Sequence, residues 1–146
     1  MRTLLCVTVF ITSFLIVGCS GDPELVGRNK VQGQITMDGK PIELGDINFG
    51  PAEGATKPGG GARIIDGKFL MEGRGGLHAG QYRVSFTVRE RIDPKTGQRA
   101  PKDFNGDKLD LEVRDLLPKD FNENNVIMFE VVDKKTNTFD YDIKTK

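Results

Sequence analysis

"QYRVSFTVR", residues 81–89, alternates without a break. Tyr82, Val84, Phe86 and Val88 fall on one side of an extended chain, and Gln81, Arg83, Ser85, Thr87 and Arg89 on the other. A period of two is the mark of a strand with one face buried and one in water. The four apolar side chains are β-branched or aromatic, the types that pack best on a pleated surface. The stretch predicts a central strand of an all-β domain.

The same period recurs to either side. "VQGQITM" (residues 31–37) sets Val31, Gly33, Ile35 and Met37 on one face, and "DGKP" after it reads as a turn, because Asp-Gly tolerates positive φ at low cost. "DINF" is a short strand with Ile47 and Phe49 inward, and "ARIIDGKFLM" a second hairpin around Asp66-Gly67. Near the end, "NVIMFEVV" puts Ile127, Phe129 and Val131 on one side. "TFDYDIK" turns Phe139, Tyr141 and Ile143 inward and leaves Asp140 and Asp142 outward as solvated charges. "GPAEGATKPGGG" (residues 50–61) reads as a flexible loop, with nothing to support a helix or a packed strand. Beyond the first 18 residues no window carries a long helical stripe. Several short strands between turn signals predict an antiparallel Greek-key β-sandwich of about seven strands over residues 30–146.

Residues 90–125 are the exception. They are too many for a hairpin loop and too charged for a buried strand, and connections beyond about 12–15 residues are usually functional or mobile. Within them, residues 109–117 could form a helical turn or an edge strand, with Leu116, Leu117 and Phe121 pinning the segment to the sandwich. The exposed "FNGD" part, with Phe104, Asn105 and Asp107, is the candidate for contact with a partner, since recognition concentrates on loops carried by a rigid scaffold.

In "GLHAGQY", Gly80 can take a turn conformation and Tyr82 can bond its hydroxyl back to a nearby backbone group, as in a tyrosine corner. "VQGQITMDGKPI", "INF", "DGKF" and "GLHAGQYRV", taken in order, resemble the transthyretin-like, carboxypeptidase-regulatory-like domain found in small bacterial lipoproteins. "LLPKDFN" and "NTFDYDI" are similar to the closing part of that family. The resemblance spans nearly all of the chain after residue 29. It implies a seven-stranded Greek-key sandwich, no catalytic residues and no cofactor.

The N-terminus is a separate unit. Met1-Arg2-Thr3 is followed by an almost wholly apolar run to Val17, the length of an export signal's core and short for a bilayer span. Ile16-Val17-Gly18-Cys19 resembles a bacterial lipobox: a branched aliphatic, a tolerated residue, a small residue for the peptidase cleft, then the cysteine whose thiol takes a diacylglyceryl group. Several acyl chains, palmitate among the usual ones, hold far more firmly than one, because each buried methylene contributes about 0.8 kcal/mol. The expectation is a signal peptide over residues 1–18, a lipidated tether over 19–29, of which Ser20 to Asn29 span about 30 Å when extended, and an exported protein anchored in the cell envelope. Ser20 stands where some bacteria place the Asp that retains a lipoprotein in the inner membrane, which favours the outer membrane.

Composition narrows the chemistry. Cleavage before Cys19 removes 18 of 146 residues and one basic residue of 21, so 20 basic residues face 21 acidic ones. A neutral chain offers no electrostatic footprint for nucleic acid. Cys6 lies in the leader, so Cys19 has no internal disulfide partner. His78 is the single histidine and reads as a turn residue, and Ser85 is mid-strand with no nucleophile-elbow context. Asp103, Asn105 and Asp107 alternate like calcium ligands, but Lys108 and Arg114 occupy the positions where such a loop wants Gly and Glu. The reading is a non-catalytic structural or binding module whose partner is an envelope protein or glycan, with no metal or cofactor; an envelope hydrolase or calcium-dependent binder using the long loop is the alternative. The anchor is directly testable. Cys19→Ser should accumulate as unprocessed precursor and take up no labelled fatty acid, and labelling equal to the wild type would remove the lipobox assignment.

Overall fold

The computed structural model describes residues 26–100, 112–133 and 136–145, and nearly all of its regular elements are strands. In chain order they are β1 (Arg28–Asn29), β2 (Val31–Met37), β3 (Lys40–Pro41), β4 (Leu44–Pro51), β5 (Gly60–Ile65), β6 (Lys68–Met71), β7 (Leu77–His78), β8 (Gly80–Ile92), β9 (Glu112–Asp115), the one-turn helix α1 (Phe121–Asn124), β10 (Ile127–Val131), β11 (Asn137–Thr138) and β12 (Tyr141–Ile143). Seven of the strands run side by side in the order β10-β8-β4-β5-β6-β2-β11. β12 continues the pairing of β11 along β2, while β9 lies on β8, and β1 pairs with β7 as a separate ribbon. The all-β sandwich expected from the alternation is present.

The long sheet curls on itself, and the aromatic side chains show where its halves meet. Phe49 of β4 lies 6.0 Å, centroid to centroid, from Phe69 of β6 and 6.0 Å from Phe139 beside β2. Phe139 also reaches Phe129 at 5.0 Å and Phe86 at 6.4 Å. Each inward position of β8 (Tyr82, Val84, Phe86 and Val88) is buried, as are Ile47, Phe49, Val131 and Ile143. Offset and edge-on ring pairs of this kind add about 0.5–1.5 kcal/mol each to the area they bury.

Local chemistry explains the turns. Asp38-Gly39 (φ 50° and 80°) and Asp66-Gly67 (φ 49° and 78°) both place two successive residues at positive φ. That is the type I′ geometry, whose twist matches that of the flanking strands. Gly80 has φ +150°, and two residues on the Tyr82 hydroxyl donates to the His78 carbonyl at 3.0 Å. The tyrosine corner read from "GLHAGQY" is formed.

Three features depart from the sequence reading. β11 and β12 run parallel to β2, in a register that pairs Asn137 with Val31 and Tyr141 with Ile35. Residues 50–61 are a loop only in their middle: Gly50 and Pro51 belong to β4 and pair with Arg83 and Tyr82, while Gly60 and Gly61 belong to β5. Ladder bonds use only backbone N–H and C=O, so a segment without side chains can still be a strand. Arg28 and Asn29, at the end of the segment read as tether, form β1, with the Arg28 guanidinium on the Gly76 carbonyl at 2.9 Å.

Residues 90–125 are built into the sheet where they are described. β8 runs on to Ile92, and β9 is the edge strand that pairs Asp115 with Arg89 and Glu112 with Ile92. Between β9 and β10 the edge of β8 is closed by side chain and loop. The Asn122 amide accepts the Phe86 N–H at 2.9 Å and donates to its carbonyl at 2.8 Å, and the Leu116 N–H reaches the Val88 carbonyl at 2.9 Å. Phe121 is buried, and Leu116 and Leu117 pack against the core, as their apolar character predicted.

Two substitutions test this packing. A methyl group added at Gly33 would lie 1.8 Å from the Phe139 carbonyl oxygen, a backbone atom that cannot turn away. Gly33→Ala should therefore destabilise by about 3 kcal/mol or more, at the upper end of overpacking effects. Tyr82→Phe should cost about 0.5–1.5 kcal/mol, the usual worth of one hydrogen bond. Chemical denaturation measures both, and a wild-type midpoint for Gly33→Ala would show that the C-terminal strands do not close over β2.

Candidate functional site

The residues singled out from sequence separate in space. Ile16, Val17, Gly18 and Cys19 lie outside the described residues, as do Phe104, Asn105 and Asp107. His78 sits on β7, paired with Arg28, whereas Ser85 lies within β8 opposite Asn48. Five residues of continuous strand separate Gly80 from Ser85, about 17 Å at the usual rise, so no Ser-His relay can form. Among the described residues no three of His, Cys, Asp and Glu are grouped to hold a metal ion.

Asp140 and Asp142 face outward, as the alternation predicted, and each also accepts hydrogen bonds from the fold. The Asp140 carboxylate accepts the Gln34 backbone N–H at 2.8 Å. Asp142 accepts the Thr36 hydroxyl at 2.8 Å and the Gly39 N–H at 2.9 Å, and also pairs with Lys144. Both carboxylates act as structural acceptors that tie the C-terminal strands to β2. The reason is the parallel pairing, which brings residues over 100 positions away in sequence alongside them.

A different site assembles at the far end of β8. There β4 begins, β5 ends, and residues 99–100 return alongside β8: the Ile92–Arg99 bridge is followed by the Ala100 N–H on the Arg91 carbonyl at 2.9 Å. These segments enclose a cleft of about 270 Å³. Four guanidinium groups line it, those of Arg63, Arg89, Arg91 and Arg99, over an apolar part made by Leu44, Ile65 and Ala100. The strand period places Arg89 and Arg91 on the outward face of β8, and Arg63 outward on β5.

Two of the four are held. Arg89 bonds Asp46 at 3.2 Å and lies 3.5 Å from Asp115, and Arg99 pairs with Glu43. Glu90 pairs with Arg114. Among the described residues the side chains of Arg63 and Arg91 make no ion pair or hydrogen bond. Arg63 stands directly opposite Asp46 in the β4–β5 ladder, but that carboxylate is turned to Arg89; Arg91 stands opposite Val113. The signal was present in "VRER" and "GGAR", but the counter-charges that decide which arginines remain unpaired come from distant segments.

No protein-family model, curated protein or solved structure matches the chain. The cleft's meaning has to come from its own chemistry.

The Asp142 carboxylate offers a test of its structural part. Its bonds to Lys144, Gly39 and Thr36 lower its pKa to about 2, below the usual value near 3.9. A depressed acid contributes stability that is complete above the unfolded-state pKa and lost as pH falls through the folded one. Wild-type stability should decline between about pH 4 and 2, and Asp142→Asn should melt lower at neutral pH with a shallower acid limb. Equal slopes in the two proteins would show that the carboxylate is not held in the fold.

Proposed function

We propose that the chain is an exported bacterial lipoprotein, anchored by acyl chains on Cys19, whose β-sandwich serves as a non-catalytic binding module of the cell envelope. The lipobox-like Ile16-Val17-Gly18-Cys19 and the apolar run before it support the anchor. The path of seven strands agrees with what the resemblance to the transthyretin-like, carboxypeptidase-regulatory-like domain implies. The single observation that carries the binding role is the arginine cleft. Arg63 and Arg91 line one cleft from two different strands, and the carboxylates Asp46 and Glu43 nearby are committed to other arginines. The partner, an envelope protein or glycan, meets this end of the sandwich, where the hairpin after β8 and the edge strand β9 stand on a rigid scaffold.

Site-specific photo-cross-linking in envelopes tests the assignment of the face. Val113 and Val126 are both exposed, at 60% and 65%. Val113 lies beside Arg91, whereas Val126 precedes the residue paired with Val84, about 20 Å away along β8. A cross-linking residue at 113 should give a discrete adduct that one at 126 does not. Identical adduct patterns from both positions, or none from either, would remove this face as the binding surface.

A further inference from the structure

Which chemical group the cleft receives follows from what its walls have left over. Two of the carboxylates that line it are engaged in ion pairs, Glu43 with Arg99 and Glu90 with Arg114, while Asp46, just beyond, holds Arg89. Within those pairs the opposite charges offset each other. Arg63 and Arg91 remain, reaching in from two different strands, with five N–H donors each and no acceptor among the described residues. A guanidinium presents its donors as a planar fork that matches the two oxygens of a carboxylate or phosphate, and such charge-assisted pairs are about twice as strong as neutral hydrogen bonds.

We propose that the cleft between β4, β5 and the end of β8 is an oxyanion-binding site, in which Arg63 and Arg91 grip the carboxylate or phosphate group of a small ligand. The size supports a small ligand, since 270 Å³ falls just below the span of about 300–1,000 Å³ usual for larger organic molecules. The apolar part, made by Leu44, Ile65 and Ala100, can meet an organic body attached to the anion. A polyanion is disfavoured, because its further charges would meet the carboxylates of Glu43, Asp66 and Glu90. This inference rests on the binding-module reading for its setting in the cell, but the chemistry concerns the cleft alone.

The experiment uses the full chain in detergent, labelled with ¹⁵N at arginine, at low ionic strength because exposed charges are strongly screened by salt. Glucuronate supplies the carboxylate, glucose 6-phosphate the phosphate, and glucose is the uncharged control. The Nε–Hε signals of Arg63 and Arg91 should shift and saturate with at least one of the two anions and stay still with glucose. The anion that binds tighter identifies the source. Arg63→Gln and Arg91→Gln should each weaken binding about tenfold or more, Arg63→Lys and Arg91→Lys less, and Lys57→Gln, in the glycine-rich loop, not at all. Shifts that never saturate, shifts spread evenly over all the arginines, or full binding by the Arg63→Gln/Arg91→Gln double variant would each overturn the proposal. A flat titration leaves the fatty-acid labelling of Cys19 untouched, and loss of that labelling leaves the titration untouched, so the two readings fail separately.

Discussion

The structure depends on the seat of Phe139 over Gly33. The two halves of the curled sheet share one continuous backbone path, and something must hold them face to face. Phe139 does this: its ring meets Phe49, Phe86 and Phe129 from the facing half and Tyr141 from its own segment. It can reach so far in because residue 33 has no side chain, so the Phe139 carbonyl lies where a Cβ would stand. That displacement takes the carbonyl out of the ladder, and the Gln34 N–H is bonded by the Asp140 carboxylate instead. A missing side chain, a buried ring and a surface carboxylate are thus three parts of one solution.

β8 carries this core outward to the cleft. Its middle is fixed by β4 on one edge, and its other edge is covered from end to end by β10, the Asn122 amide, Leu116 and β9. An edge so covered has no open ladder to pair with another chain. It also gives the strand a firm footing where it runs past the start of β4, and there Arg89 and Arg91 project. The cleft is therefore set by strands in register, with Ile92 and Ala100 buried beneath the returning hairpin. Ordinary loop mobility does not set the spacing of its arginines.

Most of the core was legible, because burial on a pleated sheet is a property of alternation and alternation is local. Tyr82, Val84, Phe86 and Val88 needed no partner to be recognised as inward, and the two Asp-Gly turns needed only their own φ preferences. What was not legible depends on register between distant segments. Asp140 and Asp142 had the pattern of outward residues, and only the parallel placement of β11 and β12 turns them toward backbone donors of β2 and the turn after it. Asn122 lies in the stretch read as one long connection, yet its amide pairs with the Phe86 backbone as a strand would. Gly60 and Gly61 read as breakers because strand signals are carried by side chains, whereas their pairing with Phe49 and Asn48 uses none.

The arginine cleft shows the same limit in electrostatic form. Net charge is a sum over the chain, and a sum near zero argues against a large single-sign field without saying how charges are matched. Matching is decided pair by pair. Asp46 lies between Arg63 on one neighbouring strand and Arg89, diagonally placed, on the other, and it bonds the second. Asp115, opposite Arg89 on β9, adds to the hold on that same arginine and leaves Arg91 facing Val113. Had β9 been shifted by two residues toward β8's end, Asp115 would stand opposite Arg91. The unpaired charge is thus a consequence of strand register, and the register of β9 is what leaves Arg91 available to a ligand.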